Sequence, residues 1–389
     1  EISECDWSSD VCSSDLDSLK GSLSSLEAGQ AIKEGVQVVY PEAEVVVRPL
    51  ADGGEGTVEA LAIGMGGELV HVSVTGPLGD AVTAEYGILK ADSTRPKTAI
   101  IEMSAAAGIT LVPDEKRNPM HTTTFGVGEL IKDAIDNGCR HFIVGIGGSA
   151  TNDGGIGMLQ ALGYDFLDKD GNPVGYGGAG LQSIARIQAE NVLPELKDCT
   201  FRVACDVTNP LCGPMGSSAI YGPQKGATPE MVKELDEALL HYAELSKETF
   251  DHADRLYPGT GAAGGMGFAF LTYTNAVLES GIKIVLEETG LEDEMKDADF
   301  VITGEGRLDS QTALGKAPIG VAHLAKKHDK KVLAFAGCLT PDAGVCNENG
   351  IDAFFPILRR VITVQEAMEK ENARDRKSTR LNSSHIQKS

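Results

Sequence analysis

The chain has 389 residues, 42% hydrophobic and 5% aromatic, with 46 glycines and a formal net charge of −23. That length exceeds what one core accommodates comfortably and points to two domains, while the acidity excludes nucleic acid and anionic membrane surfaces as partners. No apolar run approaches the roughly 18 residues that would span a membrane. The eight cysteines show no C-x-x-C or Cys/His metal spacing, as expected of reduced, mostly buried thiols in a cytoplasmic protein; a monomer or homodimer is expected.

Residues 1–16 lack periodicity, and residues 374–389 are basic where the rest is acidic. Both ends read as artefactual translated adapter sequence and are set aside from the fold. A helix is predicted from Ser25 to Tyr40, closed by Pro41, followed by a strand over Glu44–Leu50. The glycine-acid loop 51–57 then leads to another helix. Alternating stretches Glu68–Val74 and Val82–Leu89, with Thr98–Met103 after them, predict an antiparallel or mixed sheet. Helices are expected over Thr124–Asn137, Pro229–Phe250 and Ala317–Lys327. Buried strands are expected at Phe300–Ile302 and Val332–Ala336, and a short one at Phe354–Phe355. This order predicts an α/β protein. Its first domain is an open parallel three-layer, Rossmann-like sheet built from residues 17–77 and 286–373. Its second is a mixed-sheet α/β domain inserted over 78–285.

The stretch Gly145–Gly157, G-I-G-G-S-A-T-N-D-G-G-I-G, follows the apolar run His141–Val144 and carries six glycines in thirteen residues. Strand, glycine loop and helix together present backbone N–H groups to an anion. Gly147, Gly148, Ser149, Thr151 and Asn152 are therefore candidate nucleotide or phosphate ligands. Asp153 serves equally as a ligand or a helix cap. Five further loops are rich in small residues, at 51–57, 204–211, 222–227, 258–267 and 303–312, and all but 258–267 also carry an acid or base. In open α/β sheets such loops gather outside the carboxyl ends of strands.

Glycine loops, carboxylates and scattered lysines suit phosphoryl transfer, which needs positioning and charge neutralisation. Mg²⁺ takes one or two protein carboxylates and bridges phosphates. Asp206, Glu305 and Asp309 are placed for such work: Asp206 and Asp309 as catalytic acids or bases, Glu305 and Asp309 as metal ligands. Lys225 and Lys316, each close to Gly and Pro, are candidate phosphate grips, Lys225 also as a catalytic residue. Lys20 and Arg307 suit a substrate carboxylate, with Asp52 a further substrate-binding candidate. No P-loop signature occurs. Two other readings remain open: an NAD(P)-dependent oxidoreductase using Gly145–Ala150 as G-x-G-x-x-A with Asp165 or Asp168 as ribose acid, and a non-catalytic metabolite-binding protein.

The phrases D-S-L-K-G-S, A-D-G-G-E-G-T, V-T-G-P-L-G, G-I-G-G-S-A-T-N-D-G-G, A-C-D-V-T-N-P-L, G-P-Q-K-G-A and T-G-E-G-R-L-D-S-Q-T stand in this order. Together they resemble the bacterial glycerate kinase family that lacks a P-loop, from Asp17 to about Ala373. The resemblance implies ATP- and Mg²⁺-dependent phosphorylation of D-glycerate, with 2-phosphoglycerate favoured over 3-phosphoglycerate, and a cleft between two domains. It also implies a short apolar strand before Asp17. Val11-Cys12-Ser13 is a poor substitute for one, so the sheet is expected to lack this inner strand and to fold badly.

Overall fold

A computed structural model describes residues 10–16, 24–51, 56–91 and 96–358. Its strands are β1 (Asp10–Leu16), β2 (Glu44–Arg48), β3 (Glu68–Thr75), β4 (Ala81–Leu89), β5 (Thr98–Glu102), β6 (His141–Gly145), β7 (Asp165–Leu167), β8 (Arg186–Gln188), β9 (Thr200–Ala204), β10 (Ala276–Glu279), β11 (Phe300–Leu308), β12 (Lys331–Leu339) and β13 (Ala353–Pro356). The chain divides into two compact units, Glu1–Asp52 with Val285–Ser389, and Gly53–Ile284.

The first unit is a five-stranded sheet of order β13-β12-β11-β1-β2 in which every pairing is parallel. Its opening helix, Ser25–Val39, starts on a capping box: Ser24 accepts from the Glu27 amide, and the Glu27 carboxylate accepts from the Ser24 amide. Ala28, Ile32 and Val36 recur at helical spacing and bury one face against Val45, Ile302 and Phe335.

Two expectations are corrected in this unit. Asp10–Leu16 does occupy the inner strand position, pairing Val11 with Phe300 on one side and with Val45 on the other. A ladder is made by backbone N–H and C=O groups, so a segment without strand-like patterning still completes it. The ladder is irregular between Ser13 and Leu16. The last 303–312 loop is also shorter than expected, because β11 continues through Thr303-Gly304-Glu305-Gly306-Arg307-Leu308, paired with β12 as far as Leu339.

The second unit carries a six-stranded mixed sheet, order β10-β9-β6-β5-β4-β3, and a separate β7–β8 ribbon. Strands β5, β6, β9 and β10 run parallel, and β3, β4 and β5 pair antiparallel. The first boundary therefore falls at residue 52 and not at 77. The segment carrying β3 pairs with β4 along its whole length, from Glu68 opposite Ile88 to Thr75 opposite Ala81. The core stacks Phe142 on Phe201, with ring centroids 4.7 Å apart, and sets Phe270 beside them. Helix Phe125–Asp136 packs so closely on helix Ile156–Ala161 that a Cβ at Gly128 would lie 2.3 Å from the Met158 carbonyl. The carboxyl ends of β5, β6 and β9 deliver Glu102, the Gly145 loop and Asp206 to the same end of the sheet.

Candidate active site

In the second unit the Gly145 loop has an exposed tip and a buried stem. Gly147 and Gly148 are exposed, Gly148 at φ +72°, a conformation glycine adopts without strain. Among the described residues no protein acceptor receives their amides. Two bonds pin the loop to its neighbour: Ile109 N donates to Gly148 O at 2.8 Å and Ala150 N to Ala107 O at 2.9 Å.

The stem is held by buried polar groups. Lys225 is only 2% exposed, and its Nζ donates to Ser149 Oγ at 2.6 Å and to the Thr151 carbonyl at 2.7 Å. Burial pushes the Lys225 ammonium down to about 7, although the nearby Asp153 charge works the other way. Asp153 is fully buried and raised by that burial. Its carboxylate accepts from Thr124 N at 2.9 Å, Thr124 Oγ1 at 2.8 Å and Gly155 N at 3.1 Å, so it organises the turn into the helix. Asn152 is equally buried, donating to Ser218 Oγ at 2.7 Å and accepting from Ser217 Oγ at 3.0 Å.

Of the loop residues picked from the sequence, then, Gly147 and Gly148 face outward while Ser149, Thr151 and Asn152 form the frame behind them. Thr124, Ser217 and Ser218 escaped the sequence reading. Their only signal is the run of small hydroxyl residues at 122–124 and 217–218. Asp206 is exposed on the loop after β9, its Oδ1 accepting from Gly281 N at 3.1 Å.

A cleft of about 630 Å³ opens beside Gly147 and Gly148, with Val58, Ala84, Ile109 and Leu111 on its walls. Glu102, the last residue of β5, also lines it and accepts from Val58 N at 2.8 Å. Sequence reading passed Glu102 over, although it is the acid that ends an apolar strand.

The first unit holds a second cluster at the end of β11. Glu305 and Asp309 are 4% and 5% exposed. Thr312 Oγ1 donates to Glu305 and accepts from Asp309 N at 3.1 Å. The Asp309 carboxylate accepts from Gln311 N at 2.9 Å, Thr312 N at 3.1 Å and Arg307 Nε at 2.8 Å. Burial alone would raise the Asp309 carboxyl, but these amides and Arg307, aided by the Lys316 charge, hold it below the usual carboxylate range. Arg307 is exposed, and Lys316 is the N-cap residue of helix Ala317–Lys327. Glu305 and Arg307 thus belong to a strand, not to a post-strand loop as expected. Lys20 and Asp52 lie outside the described residues.

The dinucleotide reading fails on this geometry. The helix after β6 starts only at Ile156, so G-x-G-x-x-A does not open it. Asp165 accepts from Asn191 Nδ2 at 2.7 Å, and Asp168 closes its own turn on the amides of Asp170 and Asn172.

Residues 15–381 match the glycerate kinase family. The chain belongs to that family. It is 52% identical over 354 residues to a glycerate kinase of Haemophilus influenzae, covering 91% of this chain and 93% of that one. It is 52% identical over 351 residues to the glycerate 2-kinase of Escherichia coli, covering 90% and 91%. A crystal structure from Salmonella typhimurium LT2, provisionally assigned as a glycerate kinase 2, superposes with a TM-score of 0.87 at 47% identity, covering 96% and 97%. The fold is that of a family of enzymes that transfer a phosphoryl group to an alcohol. No helix among the described residues is long and apolar enough to cross a membrane.

Proposed function

We propose that this chain phosphorylates D-glycerate at its 2-hydroxyl, with ATP as donor and Mg²⁺ as the assisting ion. The observation that carries the reading is its 52% identity to the Escherichia coli glycerate 2-kinase across nine-tenths of both chains. Gly147 and Gly148 suit donor phosphates, since both are exposed and the loop is pinned by Ile109 N on Gly148 O and by Ala150 N on Ala107 O, with Lys225 holding the stem behind them. In this reading Lys225 is a loop brace and not a direct phosphate grip, because its ammonium is spent inside the protein.

Asp206 is exposed after a strand end and is the better general base, accepting the proton as the glycerate oxygen attacks the phosphoryl phosphorus. Asp309, with its carboxyl held below the ordinary range, is a weak base and a persistent negative charge. Glu305 and Asp309 share Thr312 and supply two carboxylates. No group of three or more His, Cys, Asp or Glu side chains suited to a metal occurs among the described residues. Two carboxylates fit an ion that keeps waters and leans on substrate phosphates. When bound, Mg²⁺ neutralises charge on the transferring phosphoryl group. Arg307 and Lys316 add positive charge to an otherwise acidic chain, and Lys20 and Asp52 remain proposed glycerate contacts.

Coupled measurement of ADP release tests the reading: release depends on both D-glycerate and Mg²⁺. Proton-coupled phosphorus NMR of the product shows a doublet for phosphate on the single-proton C2, and a triplet for C3. Absence of glycerate-dependent release overturns the activity, and a triplet overturns the position.

A further inference from the structure

We infer that the cleft beside Gly147 and Gly148 seats the nucleoside part of the phosphoryl donor and not the glycerate. The inference rests on the kinase reading above but adds what that reading leaves open, namely which substrate fills the cavity. Size is the first argument. About 630 Å³ lies in the range of pockets that bury drug-sized ligands, about 300–1,000 Å³. A three-carbon acid would leave most of it to water, whereas a sugar with a purine ring fills it.

Wall chemistry is the second argument. Val58, Ala84, Ala105, Ile109 and Leu111 give apolar surface suited to the faces of a base. The charged groups on the described lining are both carboxylates, Glu85 and Glu102, with no lysine or arginine among them. Glu102 is oriented by the Val58 amide, and Glu85 pairs with His71 across the β3–β4 ladder at 3.6 Å. Such walls repel the carboxylate of glycerate and the triphosphate alike, and favour neutral hydrogen-bond donors such as ribose hydroxyls or an exocyclic amine.

Direction is the third argument. The cleft lies at the carboxyl ends of β5 and β6, and its glycine edge presents the exposed amides of Gly147 and Gly148. A nucleoside placed among the carboxylates extends its phosphate chain along that edge, which is the anion-tolerant end.

Isothermal titration with adenosine, which carries no phosphate, and separately with D-glycerate tests this on the full chain. The wild type is expected to bind adenosine. Ala105→Phe, which fills the cleft, weakens adenosine binding at least tenfold and raises the KM for ATP, while D-glycerate binding changes less than twofold. Leu111→Gln at the exposed rim serves if Ala105→Phe does not fold, and lowers adenosine affinity several-fold with the same selectivity. A wild type that ignores adenosine, or a variant that loses D-glycerate in place of adenosine, overturns the assignment. The two readings fail separately. Glycerate-dependent ADP release without adenosine binding sinks the cleft assignment alone, and adenosine binding without glycerate-dependent release sinks the acceptor alone.

Discussion

Replacing Lys225 by methionine keeps most of the buried stem and removes the ammonium that braces the Gly145 loop. The Thr151 carbonyl loses its donor, at about 1–3 kcal/mol for a buried unpaired group. Against that, a charge held in a dry site disappears. The balance between these effects varies with pH in a way the structure sets. Lys225 titrates near 7 when folded, below the ordinary lysine value of 10.5. Below about pH 7 both folded and unfolded wild type carry the proton, so the full cost of the buried charge is present. Between 7 and 10.5 the folded protein sheds the proton while the unfolded chain keeps it, and wild-type stability rises by up to about 1.4 kcal/mol per pH unit. The methionine of the variant does not titrate. The stability gap between wild type and Lys225→Met should therefore widen in favour of wild type by roughly 2 kcal/mol from about pH 7.5 to about pH 9.5. Urea unfolding of both proteins, followed by circular dichroism at several pH values, measures it. Groups common to both proteins largely cancel in the difference. A gap that stays flat across this range means that Lys225 titrates as an ordinary surface lysine, and the brace argument is wrong.

Asp206→Asn should lower kcat about 10²-fold or more, with little change in unfolding midpoint, if Asp206 takes the hydroxyl proton; steady-state kinetics and thermal melts distinguish this from a fold defect. Glu305→Gln should raise the Mg²⁺ concentration needed for half-maximal rate at least tenfold, read from a magnesium titration at saturating ATP and glycerate. Asn152→Ala leaves Ser217 and Ser218 without their buried partner. It should lower stability by about 1–3 kcal/mol while moving the KM for ATP less than twofold. A large KM change with an unaltered melting temperature would return Asn152 to the nucleotide.

Much of this protein was legible in local pattern. Helix Ser25–Val39 announces itself through apolar spacing and the closing Pro41, and the β3–β4 pairing through alternation. Seven short phrases in order, most of them glycine-bearing, point to the family before any contact is known. What local pattern does not carry is the direction of a buried polar side chain. Lys225 meets Ser149 across 76 positions of chain, and Asn152 meets Ser217 across 65. Nothing in either neighbourhood distinguishes an outward ligand from an inward brace, because the deciding hydrogen-bond partner arrives only when β6 and the segment around Ser217 are packed together. Glu102 is the converse: unremarked at the end of an apolar strand, it becomes a cleft wall because β5 stops beside Gly147. Inner strand β1 shows the same limit, since backbone pairing admits a segment that side-chain pattern argues against. Residue order therefore determined the repertoire of strands, loops and charged groups. Folding decided which of those groups turn toward a ligand and which are consumed in holding the loop, because desolvation strongly favours a partner for a buried polar group wherever in the chain that partner lies.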